Sequence, residues 1–552
     1  MLTGKFSYVL SVFFLLAMQH VMASEPVSDE NKKVVKATNA DIETETKVIE
    51  NTQSQAIIQA EKTEKTLLIT EFRVAGNTLL ETKQIERALY WFTGQNKKLS
   101  TIEEARSALE NVYHQNGYPT VAVNLPPQNV AKGIVNLNVV EGKTNIVSIT
   151  GADFFTLTGI REQLPSIKEG AVLNLDNARS ELAEINRQHR DLYITPILKP
   201  GIKPGTLDIE LKVKDSLPIH GKVELNNRYT ENSTKTRLSG TVSYDNLWQK
   251  YHSASIQYQV SPEDLSQVKV IVGSYVFPVM HEDKVALYAV KSESDVPATD
   301  VLSVLGKGFI LGGRWISPLH HGLRYYHNLS YGFDYKDFED ISNISYSQFS
   351  VEYSGTYIAE NYDIKANAGL TFASERFGND PKEFEDKRFT STTIASPSYS
   401  YWSFGLDTNY RFSNGAAISL KAGAQWTEDY LISNEQFSLG GSDTVRGYLD
   451  SQASGDIGLF GQFEIKTNDH FIDSDVIDTN YMFLFADAGL SKLLKTSSGQ
   501  TQKFNLSSLG LGFHCASKKG FYIDAAWAYP LEAAGSTKKG DDRVHFSLGY
   551  EF

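Results

Sequence analysis

The C-terminal part of the chain, residues 216–552, repeats short segments in which apolar and polar residues alternate, separated by Gly, Asn, Asp and Ser. A period of two places successive side chains on opposite faces of a β-strand. The last ten residues, RVHFSLGYEF, show the pattern most clearly, and their apolar face must be buried in a protein core or in lipid. This face comprises Val544, Phe546, Leu548, Tyr550 and Phe552.

Aromatic content separates a membrane barrel from a soluble β-sandwich, whose strands also alternate. The chain has 28 Tyr and 29 Phe residues, and many lie on the apolar face near the end of an alternating segment. Membrane barrels have their aromatic girdles at these positions. At about 20 residues for each strand and its connection, residues 216–552 predict a transmembrane β-barrel of about 16 antiparallel strands in contact with outer-membrane lipid.

The N-terminus has the features of a secretory signal peptide over residues 1–23. Lys5 supplies a positive charge, Phe6–Met18 is an apolar run, and Val21–Ala23 offers small residues for cleavage. The apolar run is too short to cross a hydrocarbon core of about 30 Å as a helix. We therefore expect export, followed by a polar leader over residues 24–66 that serves as a linker or as a pore-plugging helix.

Residues 67–142 and 143–215 look like two copies of one small α/β unit, in which an opening strand is followed by helix and two closing strands. The closing strands align as KGIVNLNV and PGTLDIEL, which makes Gly133 and Gly205 equivalent. Alternation in both closing strands predicts one face towards the helices and one towards water.

The first copy resembles the POTRA domain, a periplasmic module of outer-membrane transporters. The order β-α-α-β-β, the segments FRVAGNTLL and NGYPTVAVNLPPQ, and a closing EG carry the resemblance, and the second copy follows them more loosely. It implies that the chain is a barrel preceded by two periplasmic α/β POTRA-like domains.

An edge strand of such a unit can bind an unfolded chain, because its main-chain groups can pair with an added strand. The segment TVAVNL is the candidate, since Pro126 and Pro127 prevent its ladder from continuing. Ordinary pairing of this segment within its own unit is an equally good interpretation. The candidate cargo-binding edge comprises Thr120, Val121, Ala122, Val123, Asn124 and Leu125.

Charge and motifs argue against nucleic-acid binding and against catalysis. A net charge of −13 leaves no basic excess for a nucleic acid. The single Cys515 excludes an intrachain disulfide, and the 12 histidines lack metal-ligand spacing. The sequence has no P-loop, HExxH or GxSxG signature, and GKGFILGG, residues 306–313, is interpreted as a turn. We expect no enzyme, no cofactor and no bound metal.

One candidate strand, TNYMFLFADAGLSK, carries a carboxylate. Asp487 lies on the opposite face from the apolar residues Met482 and Leu484, and a carboxylate in lipid would be penalised, so we expect Asp487 to point into the barrel. Arg446, in the stretch LGGSDTVRGYLD, could meet Asp487 if its loop folded inward. Without such a partner, Arg446 would be interpreted as a solvated turn residue.

The stretches VRGY and FADAG resemble the paired signatures of the Omp85 superfamily, and with two POTRA-like units the chain is similar to the two-partner secretion transporters (TpsB family), typified by filamentous haemagglutinin and haemolysin exporters. In that family the sixth extracellular loop folds inward and its arginine pairs with the strand aspartate. The resemblance thus implies a pair between Arg446 and Asp487. The residues carried over are Val445, Arg446, Gly447 and Tyr448 in the loop, and Phe485, Asp487 and Gly489 in the barrel wall.

The resemblance implies a bacterial outer-membrane translocator that exports a large partner exoprotein, of adhesin or haemolysin type, captured unfolded in the periplasm. A factor that assembles other outer-membrane proteins and a plain diffusion porin are the alternatives. Two POTRA-like units disfavour the former, and a porin would need neither these units nor an inward loop. The aromatic C-terminus resembles the signal read by the barrel assembly machinery. This assembly signal comprises Phe546, Leu548, Tyr550 and Phe552.

Overall fold

In the computed structural model, the chain forms two compact units, one up to Glu141 and one from Gly142 onward. The predicted signal peptide and almost all of the predicted polar leader lie outside the described residues. The structure describes residues 66–552, with the exception of 131, 204, 281, 295–305, 320–321, 323, 340–343, 385–394, 473 and 497–500.

Among its described residues, the first unit contains a three-stranded sheet, a two-stranded sheet and two α-helices. Strand β5 is central in the larger sheet, parallel to β2 and antiparallel to β4. Its alternation buries Val135, Leu137 and Val139 and exposes the residues between them. The elements are β1 Leu67–Ile69, β2 Glu71–Ala75, α1 Thr82–Leu89, β3 Gly94–Lys97, α2 Leu99–Gln115, β4 Ala122–Asn124 and β5 Ile134–Val140.

The second unit opens with a β-α-α-β-β segment in which β8 is central, parallel to β6 and antiparallel to β7. Gly133 and Gly205 precede the closing strands with φ of 74° and 75°, a left-handed conformation that suits glycine. Sequence patterning missed the six-residue α3, which is too short for a helical period. None of the described helices is long and apolar enough to cross a membrane. The elements are β6 Lys143–Thr150, α3 Leu157–Glu162, α4 Leu175–Gln188, β7 Leu192–Pro200 and β8 Thr206–Asp215.

Sixteen antiparallel strands follow and close into a barrel, which confirms the predicted fold class. Strands β20 and β21 form a separate hairpin and are not among the sixteen, so β19 pairs directly with β22. The strands are β9 Ile219–Asn226, β10 Arg237–Leu247, β11 His252–Val260, β12 Lys269–Pro278, β13 Lys284–Ser294, β14 Gly306–Pro318, β15 Tyr325–Phe338, β16 Ile344–Ile358, β17 Tyr362–Ala373, β18 Tyr399–Arg411, β19 Ala417–Trp426, β20 Phe437–Leu439, β21 Ala453–Gly455, β22 Ile457–Lys466, β23 Ile477–Lys492, β24 Lys503–Ser517, β25 Phe521–Pro530 and β26 Arg543–Glu551.

The barrel wall has an apolar outer face and a polar inner face. On β10, Val242 is 49% exposed whereas Arg237 is 1% exposed. On β23, Leu484 is 62% exposed whereas Asp487 is 3% exposed. A wall that exposes leucine and buries charge is inverted relative to a water-soluble protein, and it matches a barrel that is surrounded by lipid.

The predicted turn at residues 306–313 is wrong, because this segment is the first half of β14. Its glycines create space rather than a turn. At Gly312, an added Cβ would lie 2.2 Å from Cζ of Tyr288 and 2.5 Å from Oδ1 of Asp334. Large side chains on the two neighbouring strands therefore require glycine here, and the local sequence alone does not reveal them.

Candidate functional site

The connection from β19 to β22 returns into the barrel, and we call its tip, residues 440–452, the inward loop. Counted along the chain, it belongs to the sixth connection at the barrel end opposite the second unit's α/β segment. Strands β20 and β21 pair at the base of the tip. Val445 and Tyr448 in the tip are fully buried, as is Leu439 just before it. The inward loop is thus packed as a core element and not as a solvated turn.

Arg446 of the inward loop is bonded to Asp487 on the inner face of β23. The guanidinium Nε and Nη2 donate to the two carboxylate oxygens, each at 2.7 Å, and the backbone N–H of Arg446 donates at 3.0 Å. Arg446 is 5% exposed and Asp487 is 3% exposed. This bidentate geometry fixes the orientation of the loop as well as its position.

Aromatic rings shield the Arg446–Asp487 pair. The Cζ of Arg446 lies 3.7 Å from the ring centroid of Phe485 and 5.6 Å from that of Phe483. Both rings project inward from β23 because they share the face of Asp487. In such surroundings, removal of one member of a buried pair costs about 3–5 kcal/mol, since the other charge is left without compensation.

Glu464 is a further partner of Arg446, and sequence reasoning missed it. Its Oε1 accepts from Nη1 of Arg446 at 2.6 Å, and its Oε2 lies 3.1 Å from Nζ of Lys466. Alternation in β22 carries the signal, because Phe463 and Ile465 are exposed on the outer face and Glu464 must then face inward. The register pairs Glu464 with Phe485, beside Asp487.

The other residues of the two signatures interlock with the pair. At Gly489, an added Cβ would lie 2.9 Å from side-chain atoms of both Leu439 and Val445, so glycine makes room for the loop. Gly447 has a φ of 93°, which turns the chain directly after Arg446. The hydroxyl of Tyr448 donates to the carbonyl oxygens of Ser507 at 3.0 Å and Glu532 at 2.8 Å.

A polar cavity of about 350 Å³ lies against the barrel wall next to this site. Glu464 borders the cavity and also contacts Arg446, so the inward loop and the cavity share a side chain. Three acidic and three basic side chains face this space, together with uncharged polar groups. The charged residues are Asp407, Glu464, Asp469, Arg411, Lys421 and Lys466.

The candidate cargo-binding edge lies in the first unit. Strand β4 is an edge strand, since the sheet order is β2-β5-β4. Its outward main-chain groups are nevertheless bonded to α2: the N–H of Val123 donates to Glu110 at 3.0 Å, and its carbonyl accepts from Arg106 at 3.1 Å. Nε2 of His114 lies 3.2 Å from the carbonyl oxygen of Val121. We call Arg106 and Glu110 the helix latch.

The C-terminal residues follow the predicted alternation. Leu548 is exposed on the outer face, and Phe552, one residue beyond β26, is 59% exposed. Phe546 and Tyr550 are half-buried. The backbone of Phe552 exchanges two hydrogen bonds with Gly221, at 3.0 and 3.1 Å, so the chain end is paired at the barrel seam.

Asp191, His220 and Asp245 bring three potential ligand atoms within 4.8 Å of one another, which sequence spacing does not reveal because they lie on separate segments. Protein donors account for this cluster. Nε2 of His220 lies 2.7 Å from Asp191, and Arg190 donates to Asp245 at 3.0 Å. The cluster is a polar joint between the α/β segment of the second unit and the barrel.

Family profiles match most of the chain. The profile described as haemolysin secretion/activation protein ShlB/FhaC/HecB matches residues 205–515, and that of the ShlB-type POTRA domain matches residues 67–142. The outer membrane transporter CdiB of Escherichia coli is 22% identical over 428 residues, covering 72% of this chain and 68% of that protein. The heme/hemopexin transporter protein HuxB of Haemophilus influenzae is 18% identical over 468 residues, covering 83% and 82%.

Solved structures share the fold. CdiB from Escherichia coli superposes with a TM-score of 0.68 at 17% identity, over 96% of this chain and all of that chain. CdiB from Acinetobacter baumannii gives a TM-score of 0.59 at 16% identity, over 89% and 91%. Since the matching profile covers more than half of the sequence, this chain belongs to the haemolysin secretion/activation protein ShlB/FhaC/HecB family.

Proposed function

We propose that this protein is a two-partner secretion translocator, which exports a large partner exoprotein across the bacterial outer membrane and is not an enzyme. The barrel lies in the outer membrane, and the N-terminal POTRA domain is periplasmic in this family. The partner is unfolded in the periplasm and passes through the barrel without nucleic acid, nucleotide or cofactor. During its own biogenesis, the chain is a substrate of the barrel assembly machinery, which reads its aromatic C-terminus.

The observation that carries this proposal is the bidentate contact between Arg446 and Asp487 inside a closed barrel. A loop held by a buried ion pair has two discrete arrangements, docked and released, because separation leaves the buried Asp487 carboxylate without its guanidinium partner. In the docked arrangement the inward loop occupies the lumen. Its release opens a path along the polar cavity, whose mixed charges suit an extended polypeptide.

Export begins at the first unit. An unfolded segment of the partner adds to β4, whose main-chain groups at Val123 are held in the resting state by the helix latch. Because the latch satisfies a ladder donor and a ladder acceptor, it keeps the edge from pairing with unintended strands. When cargo displaces Arg106 and Glu110, the backbone of the cargo forms the hydrogen bonds to the N–H and carbonyl of Val123 that the latch formed before.

Substitution of either member of the ion pair tests the proposal. In Arg446→Ala and Asp487→Ala, we expect a folded barrel in the outer membrane and at least about tenfold less secreted partner, because the loop loses its docked position. Asp524→Ala is the matched control: Asp524 is a carboxylate of β25 that contacts His514 at 2.6 Å. Secretion at wild-type level from both pair variants contradicts the proposal.

Depletion of the protein separates export from assembly. A translocator is needed by its own partner, so one secreted protein should disappear from the medium while other outer-membrane proteins keep their levels. Loss of many outer-membrane barrels would instead assign the chain to the assembly function.

A further inference from the structure

The barrel seam, where β26 pairs with β9, has a short ladder. Its register runs from Ser547–Asn226 to Glu551–Lys222, five residues of each strand, and Phe552 adds one further pair with Gly221. Every other neighbouring pair of barrel strands has eight or more paired residues in the part of the chain that the structure describes. Beyond Ser547 the Asn227 side chain continues the pairing, donating to the carbonyl of Val544 at 2.7 Å and accepting from the N–H of Phe546 at 2.8 Å.

The inward loop contacts the β26 side of this seam through His545. Nε2 of His545 accepts a hydrogen bond from the backbone N–H of Gly447 at 2.8 Å, and His545 is 8% exposed. An N–H donor in this position requires a lone pair on Nε2, so the ring is neutral with its proton on Nδ1. The contact immediately follows Arg446 in the chain, and therefore fixes the loop at the residue next to its ion pair.

The inward loop contacts the β9 side through the residues that follow that strand. Arg228 is ion-paired with Asp443, and its Nε lies 3.6 Å from Oδ2 of Asp450, which is 6% exposed. The N–H of Asp450 donates to the carbonyl of Tyr229 at 3.1 Å. Arg543 of β26 donates to the hydroxyl of Tyr229 at 2.6 Å, which links the two sides directly.

We propose that His545 and Arg228 are positioning residues for the inward loop, and that through them the loop ties β26 to β9 across the short seam. The loop is thereby attached to the barrel on two sides, to β22 and β23 by Arg446 and to the seam by Gly447, Asp443 and Asp450. Loop release during export loosens the seam at the same moment. This inference deepens the proposed function, since it concerns the loop that acts there as the gate.

The test uses the purified full-length protein in lipid nanodiscs and planar bilayers. Hydrogen–deuterium exchange of β9 and β26 reports the seam, and the frequency of large conductance steps reports loop release. His545→Leu removes the acceptor for Gly447, whereas His545→Gln places an amide oxygen near the position of Nε2. We expect about tenfold faster exchange at the seam and about tenfold more openings in His545→Leu, and near wild-type values in His545→Gln.

Two further measurements keep the result interpretable. Exchange in β16, far from the seam, serves as the internal reference for global loosening. Arg228→Gln, which changes a residue outside the strands, should also speed exchange in β9 and β26, whereas Arg228→Lys, which keeps a positive charge beside Asp443 and Asp450, should stay closer to the wild type. These readouts need no exported partner, so their failure leaves the proposed function standing.

The inference is overturned if His545→Leu and Arg228→Gln both match the wild type. It is equally overturned if His545→Gln behaves like His545→Leu, because acceptor chemistry would then be irrelevant. Faster exchange in β16 to the same extent as in β26 would assign the effect to general destabilisation and would also overturn it.

Discussion

Single side chains at the inward loop have roles that follow from size and charge. Arg446 supplies a planar fork that matches both oxygens of Asp487, and a lysine could not reproduce this bidentate contact. Phe485 supplies a ring face 3.7 Å from the guanidinium carbon. Gly489 contributes the space that Leu439, just before the loop, and Val445, within it, fill. Charge and vacant volume together therefore determine where the loop rests.

Gly489→Ala tests the volume argument. The added Cβ would lie 2.9 Å from side-chain atoms of Leu439 and Val445, so we expect overpacking of about 1–3 kcal/mol, more frequent channel openings and lower secretion. Gly461→Ala on the adjacent strand is the control, because its Cβ would meet no atom within 4 Å. Unchanged openings in Gly489→Ala would mean that the loop adapts without cost.

At the scale of elements, β4 and α2 of the first unit form a closed edge rather than an open one. The helix latch substitutes for a neighbouring strand, since Glu110 accepts a hydrogen bond from the N–H of Val123 and Arg106 donates one to its carbonyl oxygen. An edge strand with unpaired main-chain groups invites unintended pairing, and this arrangement prevents it. If cargo adds to β4 as proposed, its capture is a competition between the helix and an incoming strand.

Glu110→Ala tests this competition. Without the carboxylate, the N–H of Val123 has lost its helix partner, and we expect an unfolded fragment of the exported protein to bind about threefold to tenfold more tightly. Glu103→Ala is the matched control, because Glu103 also pairs with Arg106, at 2.6 Å, but does not accept the N–H of Val123. Fluorescence anisotropy of a labelled fragment measures the affinity of both variants. Equal affinity in wild type and Glu110→Ala would place cargo capture elsewhere.

Period-two patterning made much of the barrel predictable, because lipid outside and polar groups inside impose the same alternation on every strand. The inward direction of Asp487 follows from it, as does that of Glu464. The helix latch and the contacts of His545 and Arg228 could not be predicted, since they join segments that only the tertiary fold brings together. Residues 306–313 were misinterpreted for the same reason. Gly312 is required because Tyr288 and Asp334, which lie on the two neighbouring strands, occupy the space of a Cβ.

At the scale of the whole molecule, closure depends on the chain end. Phe552 forms two main-chain hydrogen bonds with Gly221, and the barrel becomes continuous only when the last strand meets the first. Strand β26 is thus needed for the ring to close. The aromatic side chain itself is 59% exposed and contributes little to the folded core.

Phe552→Ser should therefore impair insertion more than stability. We expect a smaller amount of folded protein in the outer membrane, while the inserted fraction unfolds at nearly the wild-type temperature. Phe521→Ser provides a control at the same end of the barrel, since Phe521 is 60% exposed. Heat-modifiable migration on gels measures amount and unfolding temperature together. Equal amounts of the two variants would show that the terminal ring has no special part in assembly.

The cavity beside the inward loop has as many acidic as basic side chains around it. If the exported polypeptide passes along this cavity, as proposed, the balanced lining favours neither an acidic nor a basic chain by net charge. On this proposal, the partner is selected before it enters the barrel, and folding outside the cell keeps it from sliding back.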